Sequence, residues 1–272
     1  MLATWLLLLG EAGFHTPPDE LTWCTTAPDE LDLQVTYQER SVARSPGAVG
    51  FKVLGVRLTL NISCEADLVF RIDKAWRAFY CHTDVLCCKH VSFGRRLQYM
   101  ESFVAKVLFW GARTWKLTET QLDKMNGVQL RMLRKMLGAR RRESQSVGDY
   151  CRDVNTRIRE LLYQHKTLKW ASQQLKLHFL WMGRLARFQI TDPDRWTYLV
   201  FCYKDLRYVA SLQKRFGHQT HGRRFHAWRL EWTVFKFLGR DWRQLAISQS
   251  SYERRVDAFL TWRRRGSQFC VW

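Results

Sequence analysis

Two spacings of apolar residues divide this chain of 272 residues. Before residue 60, Leu31, Leu33, Val35 and Tyr37 alternate with polar residues, which is the period of a strand with one buried face. After residue 63, apolar residues recur every three or four positions, which is the period of an amphipathic helix. The pattern predicts a mainly α fold with a short β-hairpin or short strands in residues 20–60. A multi-helix bundle and a C-terminal helical extension are predicted to follow.

The chain is predicted to have three parts. Residues 1–62 hold a helix over residues 2–13 and then the strands; residues 63–190 hold the helical bundle; residues 191–272 hold a basic helical extension. The apolar run after Met1 lacks a basic start and is too short to cross a bilayer, so we interpret it as the end of an amphipathic helix whose upstream part is missing. No later segment is apolar enough to span a membrane. The sequence therefore predicts no membrane partner. The eight irregularly spaced cysteines, interpreted as mostly reduced thiols, predict an intracellular protein, nuclear or cytoplasmic.

The best-marked element begins at Thr118. Thr118 and Gln121 have the spacing of a capping box, in which each side chain satisfies a backbone N–H of the other residue. Gly138 is placed to end the helix in a left-handed conformation, and the cations before it suit the negative end of the helix dipole. The stripe that this helix is predicted to bury consists of Leu122, Met125, Val128, Met132, Leu133 and Met136.

Helices are also predicted on both sides of this element. A long helical pattern begins at about Val147 and is predicted to break once, near Ala171 or Gly183. The helices predicted before and after these cover residues 63–80, 94–108, 242–248 and 252–265.

Charge is distributed unevenly along the chain. The formal net charge is +19, and residues 1–50 contain seven of the 25 acids and two of the 44 bases, a net of −5. The remaining residues therefore contain 42 bases and 18 acids, a net of +24. A basic body interleaved with aromatic residues favours nucleic acid as the partner, ahead of an anionic membrane. The alternative is a soluble protein that is merely basic.

Short runs of cations are the candidate phosphate contacts. Arginine suits bidentate contact with phosphate, and aromatic rings beside it can stack on exposed bases. A charge run taken singly is otherwise a solvated face. The candidate nucleic-acid contacts are Lys124, Arg131, Arg134, Lys135, Arg140, Arg141, Arg142, Arg184, Arg187, Arg223, Arg224, Trp228, Arg263, Arg264 and Arg265.

The tryptophans of interest form two sets. Those on apolar stripes are predicted to be core residues, whereas those beside cations are equally open to base stacking and to core packing. The first set is Trp76, Trp110 and Trp115, and the second is Trp228, Trp232 and Trp262.

No catalytic or metal-binding motif stands out. The eight cysteines contain no C-x-x-C pair and are interpreted as mostly reduced thiols. Cys202 with His218, His221 and His226 invites a zinc interpretation, but adjacent arginines would repel a cation, and polar or phosphate-contacting side chains are favoured. Neither a nucleophile elbow nor a glycine-rich phosphate loop occurs. The chain is predicted to use no cofactor, no metal and no small-molecule substrate.

Five short motifs follow one another in order. They are Phe51-Lys52-Val53-Leu54-Gly55, then Glu65-Ala66-Asp67 with Arg71-Ile72-Asp73-Lys74-Ala75, Trp110-Gly111-Ala112-Arg113-Thr114-Trp115, Leu133-Arg134-Lys135-Met136-Leu137-Gly138, and Gly183-Arg184-Leu185-Ala186-Arg187. In that order they resemble the region after the catalytic palm of non-LTR (LINE-type) reverse transcriptases. The resemblance covers residues 50–142 well and residues 1–195 loosely. Arg184 departs from it, since the family usually has His at that position.

The resemblance implies that residues 1–62 are the edge of a polymerase palm and that residues 63–190 are a thumb-like domain that holds a template–primer duplex. It also implies that the catalytic aromatic-x-Asp-Asp turn lies upstream of Met1. No Asp-Asp pair occurs in the chain, and polymerisation needs clustered carboxylates that hold two metal ions. The sequence therefore predicts a fragment of a polyprotein that is not an enzyme on its own. A free-standing basic helical protein that binds nucleic acid or protein, and a non-functional frame from a decayed element, remain open.

Overall fold

A computed structural model of the chain describes residues 22–23, 35–37, 40–44, 51–53, 56–58, 64–115, 117–193, 233–239 and 241–266. These residues are mainly helical, which confirms the mainly α part of the predicted fold class. None of their helices is long and apolar enough to cross a membrane. The chain divides into two compact units, residues 1–76 and 77–272. The division falls inside a continuous helix, whereas the sequence placed domain boundaries after residues 62 and 190, and those boundaries stay predictions.

The described residues before residue 60 lie in short strands. The strands are β1 Thr22–Trp23, β2 Val35–Tyr37, β3 Arg40–Arg44, β4 Phe51–Val53 and β5 Val56–Leu58. The middle strand of a three-stranded sheet is β3, which runs parallel to β1 and antiparallel to β2. A separate pair, β4 and β5, is antiparallel, with Lys52 opposite Arg57. The helix predicted over residues 2–13 lies outside the described residues.

The first long helix, α1, spans Glu65–Cys81, so it begins in the first unit and ends in the second. Its first turn carries Glu65 and Asp67, which suit the positive end of the helix dipole. Its apolar residues recur at spacings of three and four and are buried, which confirms the helix predicted over residues 63–80. The buried row is Leu68, Ile72, Ala75 and Phe79.

Residues 83–114 form a series of short helical turns. A π-helical turn, Glu101–Ala105, lies between two α-helical pieces, so the helix predicted over residues 94–108 is confirmed with a wider turn inside it. Gly111 follows this helix at φ 74°, a left-handed conformation that favours glycine. The elements are α2 Thr83–Leu86, α3 Phe93–Met100, α4 Lys106–Leu108 and the 3-10 turn Ala112–Thr114.

The helix that the sequence marks best is α5, Glu119–Leu137. The Gln121 N–H donates to Thr118 Oγ1 at 3.3 Å, and the Thr118 N–H donates to Gln121 Oε1 at 2.9 Å, so the capping box is confirmed. Gly138 ends the helix at φ 61°, as predicted. All six residues of the predicted stripe are buried. The start, the stop and the buried face of this helix thus all follow from local sequence.

The pattern that begins at Val147 forms two helices, α6 Val147–Gln164 and α7 Trp170–Thr191. The break falls at residues 165–169, just before Ala171. Gly183 lies within α7, so the alternative break near Gly183 is wrong. Its lack of a side chain serves packing there and not a change of direction.

The start of α7 is capped from a neighbouring helix. The side chain of Lys169, at the N-cap position, makes no capping hydrogen bond. Instead, the Trp170 N–H donates to Gln129 Oε1 at 3.0 Å, and the Ala171 N–H donates to Asn126 Oδ1 at 3.1 Å. The first N–H groups of a helix have no partner within it, so these two side chains of α5 fix the position of α7.

The C-terminal half of α7 packs into an aromatic cluster, whose rings are those of Phe179, Phe237, Tyr252, Phe259 and Trp262. Tyr252 stacks on Phe179 with ring centroids 4.3 Å apart, and its hydroxyl donates to the Phe179 carbonyl at 3.0 Å. The two last predicted helices are confirmed, the second with an interruption at residues 254–255. The elements around the cluster are the helical residues 233–238, α8 Trp242–Ile247, α9 Gln249–Glu253 and α10 Val256–Gly266.

Candidate nucleic-acid interface

The fifteen predicted contacts fall into three groups. Arg223, Arg224 and Trp228 lie outside the described residues, as do the side chains of Arg264 and Arg265. A second group is half-buried and donates hydrogen bonds to acceptors far away in the sequence. The third group is exposed, and most of it lies along α5 and just after it.

The C-terminal end of α5 is held by a buried arginine that was not among the predicted contacts. Arg96 Nη1 donates to the backbone carbonyls of Leu86 at 3.1 Å and of Met136 at 2.5 Å. These carbonyls lie at the ends of α2 and α5, where C=O groups lack partners within the helix. The guanidinium also lies 5.4 Å from the centroid of the Phe93 ring. The sequence contained one signal that Arg96 is buried. Arg96 lies four residues before the core residue Met100, which places both on the same face of the helix.

One face of α5 carries a row of cations. Lys124, Arg131 and Lys135 are separated by seven and four residues, which places them on the same side of a helix, and all three are exposed. At a rise of 1.5 Å per residue the row extends about 16 Å. Lys135 Nζ lies 5.6 Å from the centroid of the Tyr80 ring, which is 56% exposed. The row therefore ends beside an exposed aromatic ring.

The cations continue past Gly138 into the connection of residues 138–146. Residues 140–142 are three exposed arginines. The connection is held at its start by the Tyr150 hydroxyl, which donates to the Ala139 carbonyl at 2.8 Å. It is held at its end by Ser146, whose side chain caps α6. The three arginines therefore extend from a backbone that is anchored on both sides.

Lys89 joins this surface although it lies in no charge run. It is exposed, and a Cβ added to Gly138 would lie 3.8 Å from Lys89 Cε. Its placement, like that of Tyr80, depends on packing between segments distant in sequence. We call the exposed cations of this region the α5 basic surface. It consists of Lys89, Lys124, Arg131, Lys135, Arg140, Arg141 and Arg142.

Three other predicted contacts, all half-buried, pair their guanidinium groups with acceptors elsewhere in the chain. A guanidinium that donates to a fixed acceptor is held in one position, and phosphate would have to compete with that acceptor. We therefore leave these three arginines out of the interface. The pairs are Arg134 Nε and Nη2 with Asn155 Oδ1 at 3.2 and 2.8 Å, Arg187 Nη1 with the Ala246 carbonyl at 3.1 Å, and Arg263 with the carboxylate of Glu119.

The remaining predicted residues have mixed outcomes. Arg184 is exposed on α7, with Cζ 5.8 Å from the centroid of the Phe188 ring. Trp115 is buried, as predicted, whereas the prediction of a core position for Trp110 is wrong because 58% of it is exposed. It directly precedes the left-handed Gly111, where the chain turns and the helical spacing that suggested burial no longer applies. Trp262 packs against the rings of the aromatic cluster.

Within the part of the chain that the structure describes, no group of three or more His, Cys, Asp or Glu side chains could hold a metal ion. Cys202 and the histidines of the zinc interpretation lie outside that part. No family model matches the chain, and no curated protein or solved structure is significantly similar to it.

Proposed function

We propose that this chain is the non-catalytic post-palm and thumb-like part of a non-LTR retrotransposon reverse transcriptase polyprotein, and that it binds a template–primer duplex through the phosphate backbone. The observation that supports this proposal best is the α5 basic surface. It combines a straight row of cations, about 16 Å long at the helical rise, with three arginines on an anchored connection.

Such a surface suits backbone contact and not base readout. Phosphates recur along a duplex whatever its sequence, and a row of cations that neutralises them releases counterions. Lysines act as point charges, whereas the arginines of residues 140–142 can each make two parallel hydrogen bonds to a phosphate. The expected role is to hold an RNA or RNA/DNA duplex without sequence preference.

Two glycines of the resembling motifs support the family assignment on physical grounds. Gly111 in the Trp-Gly-x-x-Thr-Trp motif and Gly138 at the end of the Leu-Arg-x-x-Leu-Gly motif both have left-handed backbone conformations, φ 74° and 61°. A side chain is strained in that conformation, so these motif positions require glycine. In this proposal the short strands of residues 20–60 form the edge of the palm, and the protein acts in the nucleus or the cytoplasm.

The proposal also assigns no polymerisation to the chain by itself, because no Asp-Asp pair is present to hold the two metal ions. Primer extension on an RNA template with magnesium and all four deoxynucleotides checks this part. The expected result is no elongation. Template-dependent product would contradict it without bearing on duplex binding.

The binding test is fluorescence anisotropy of a labelled 20-base-pair RNA/DNA hybrid, titrated with the full chain between 50 and 300 mM salt. The variant Arg140→Gln, Arg141→Gln, Arg142→Gln should bind about ten times more weakly, and its log–log salt slope should be shallower by about 3. The charge-matched control is Lys236→Gln, Arg254→Gln, Arg255→Gln, which removes three exposed cations near the aromatic cluster. Equal losses for the two variants, or binding that does not change with salt, would rule out the assigned surface.

A further inference from the structure

A preformed aromatic stack lies outside the α5 basic surface. The rings of Tyr99 and Phe103 stack with centroids 4.4 Å apart and planes 29° apart. The His82 ring lies 5.3 Å from each of them, and the Tyr99 hydroxyl lies 3.2 Å from His82 Nδ1. Phe103 is nevertheless 47% exposed. One side of its ring is therefore covered by partners that hold its orientation, and much of the rest faces solvent.

This stack stands on a helix face that also carries cations. Arg95, Tyr99 and Phe103 follow one another at spacings of four, and Lys106 follows three residues later. Both cations are exposed. The opposite face of the same stretch is fully packed. It consists of Leu97, Met100, Val104 and Leu108.

We infer that the row Arg95, Tyr99, Phe103 and Lys106 binds an unpaired stretch of RNA or DNA, with a base stacked on Phe103 and phosphates contacted by Arg95 and Lys106. This inference deepens the proposed function, on which it rests for the class of ligand. Alternation of exposed aromatic rings with cations is the arrangement by which proteins hold single strands without sequence preference. A paired base already stacks on its neighbours inside the duplex, so the ligand of an aromatic ring must be unpaired.

The two surfaces would then bind different parts of the same nucleic acid. The α5 basic surface takes the phosphates of the paired region, and the row from Arg95 to Lys106 takes the single strand that extends from it. Glu101, the one acid between Arg95 and Lys106 in the sequence, accepts a hydrogen bond from Trp170 Nε1 at 3.2 Å and so is turned toward α7. The charge near Phe103 therefore comes mainly from the two cations.

The experiment compares Phe103→Ala, Phe103→Leu and Phe103→Trp in the full chain. Each is titrated against a 12-nucleotide single strand containing 2-aminopurine, as RNA and as DNA, and against a blunt 20-base-pair hybrid. Phe103→Ala and Phe103→Leu should lower single-strand affinity about tenfold, and Phe103→Trp should keep it, with quenching of 2-aminopurine in the wild type and in Phe103→Trp. Binding of the blunt hybrid should be unchanged. Thermal melting followed by circular dichroism confirms that each variant is folded.

The matched control is Tyr163→Ala, which removes an aromatic side chain that is 86% exposed at the end of α6. It should change neither affinity. If Phe103→Leu binds single strands as the wild type does, no base stacks on the ring of residue 103 and the inference is overturned. If the wild type binds the hybrid but not the single strands, the inference fails and the proposed function stands. If the wild type binds the single strands but not the hybrid, the single-strand row stands and the proposed grip on a duplex fails.

Discussion

The aromatic cluster at the C-terminal end of α7 and the connection between α5 and α6 use polar groups in opposite ways. In the cluster they point inward. The Tyr252 hydroxyl donates to the Phe179 carbonyl at 3.0 Å, and burial raises the pKa of that hydroxyl well above its ordinary value. Arg187 donates to the Ala246 carbonyl at the edge of the same cluster. Each of these groups satisfies a neighbour inside the protein.

In the connection of residues 138–146 the three arginines are exposed. The backbone is fixed by Gly138, by Tyr150 and by the Ser146 cap, and Arg141 Nη1 adds a long hydrogen bond, 3.5 Å, to the Gln145 carbonyl. We therefore expect the stability of the fold and the proposed binding of nucleic acid to depend on separate regions. Changes in the cluster should reduce the free energy of unfolding and leave affinity for nucleic acid unchanged, and changes in the connection should do the opposite.

The largest expected effect comes from a methyl group placed inside the cluster. In Gly183→Ala the new Cβ would overlap Tyr252 Cε1 and lie 2.6 Å from Cδ1. Tyr252 cannot move aside because it is fully buried and stacked on Phe179. We expect a loss of about 3 kcal/mol in the free energy of unfolding, measured by urea titration with far-ultraviolet circular dichroism.

The matched change is Gly127→Ala in α5, where a Cβ would meet no atom within 4 Å. Alanine is the better helix former, so this variant should gain roughly 0.5–1 kcal/mol. The two glycine substitutions should thus change the free energy of unfolding in opposite directions. A Gly183→Ala protein as stable as the wild type would show that the cluster is loosely packed and would remove the basis of the comparison.

A second, smaller effect concerns a carboxyl group that contacts the first residue of α7. Glu101 lies in the π-helical turn and accepts a hydrogen bond from the indole of Trp170, and burial raises its pKa to about 7. The folded protein therefore holds a proton that the unfolded chain releases near pH 4.5. The resulting stabilisation is fully present below about pH 4.5 and is lost as the pH rises to about 7.

Glu101→Gln keeps an acceptor for the indole and removes the titrating group. At pH 8.5 the variant should be more stable than the wild type by roughly 2 kcal/mol, and at pH 4 the two should be nearly equal. Urea titrations at the two pH values measure the difference. A variant that is less stable at pH 8.5 would show that the carboxylate is stabilised in its charged form.

Local signals explain what the sequence predicted correctly. The start and end of α5 depend on Thr118, Gln121 and Gly138, which act within a few residues of themselves. Its buried stripe follows from helical spacing alone. The same reasoning located α1, α6 and the last helices. The break before α7 was placed only roughly, because its capping groups come from Asn126 and Gln129 on another helix.

The candidate site was predicted less well because a charge run looks the same whether it faces solvent or a distant acceptor. The acceptors of Arg134, Arg187 and Arg263 lie 21, 59 and 144 residues away along the chain. Spacing cannot reveal such partners. Residues 140–142, which follow a helix stop directly, were correctly expected to be exposed. The family, the nucleic-acid partner and the domain boundaries stay predictions.

The smallest expected effect separates two arginines of one motif. Arg187 Nη1 donates to the Ala246 carbonyl at 3.1 Å, whereas Arg184 is exposed and has its guanidinium near the Phe188 ring. Arg187→Gln should lower the free energy of unfolding by about 1 kcal/mol, because the carbonyl loses its donor, and should leave affinity for the hybrid unchanged. Arg184→Gln should change stability by less than about 0.5 kcal/mol. Urea titration measures the stability of both variants, and anisotropy measures their affinity for the hybrid. Weaker hybrid binding by Arg187→Gln at unchanged stability would extend the interface to α7. It would also contradict the separation of stability from binding between the two regions.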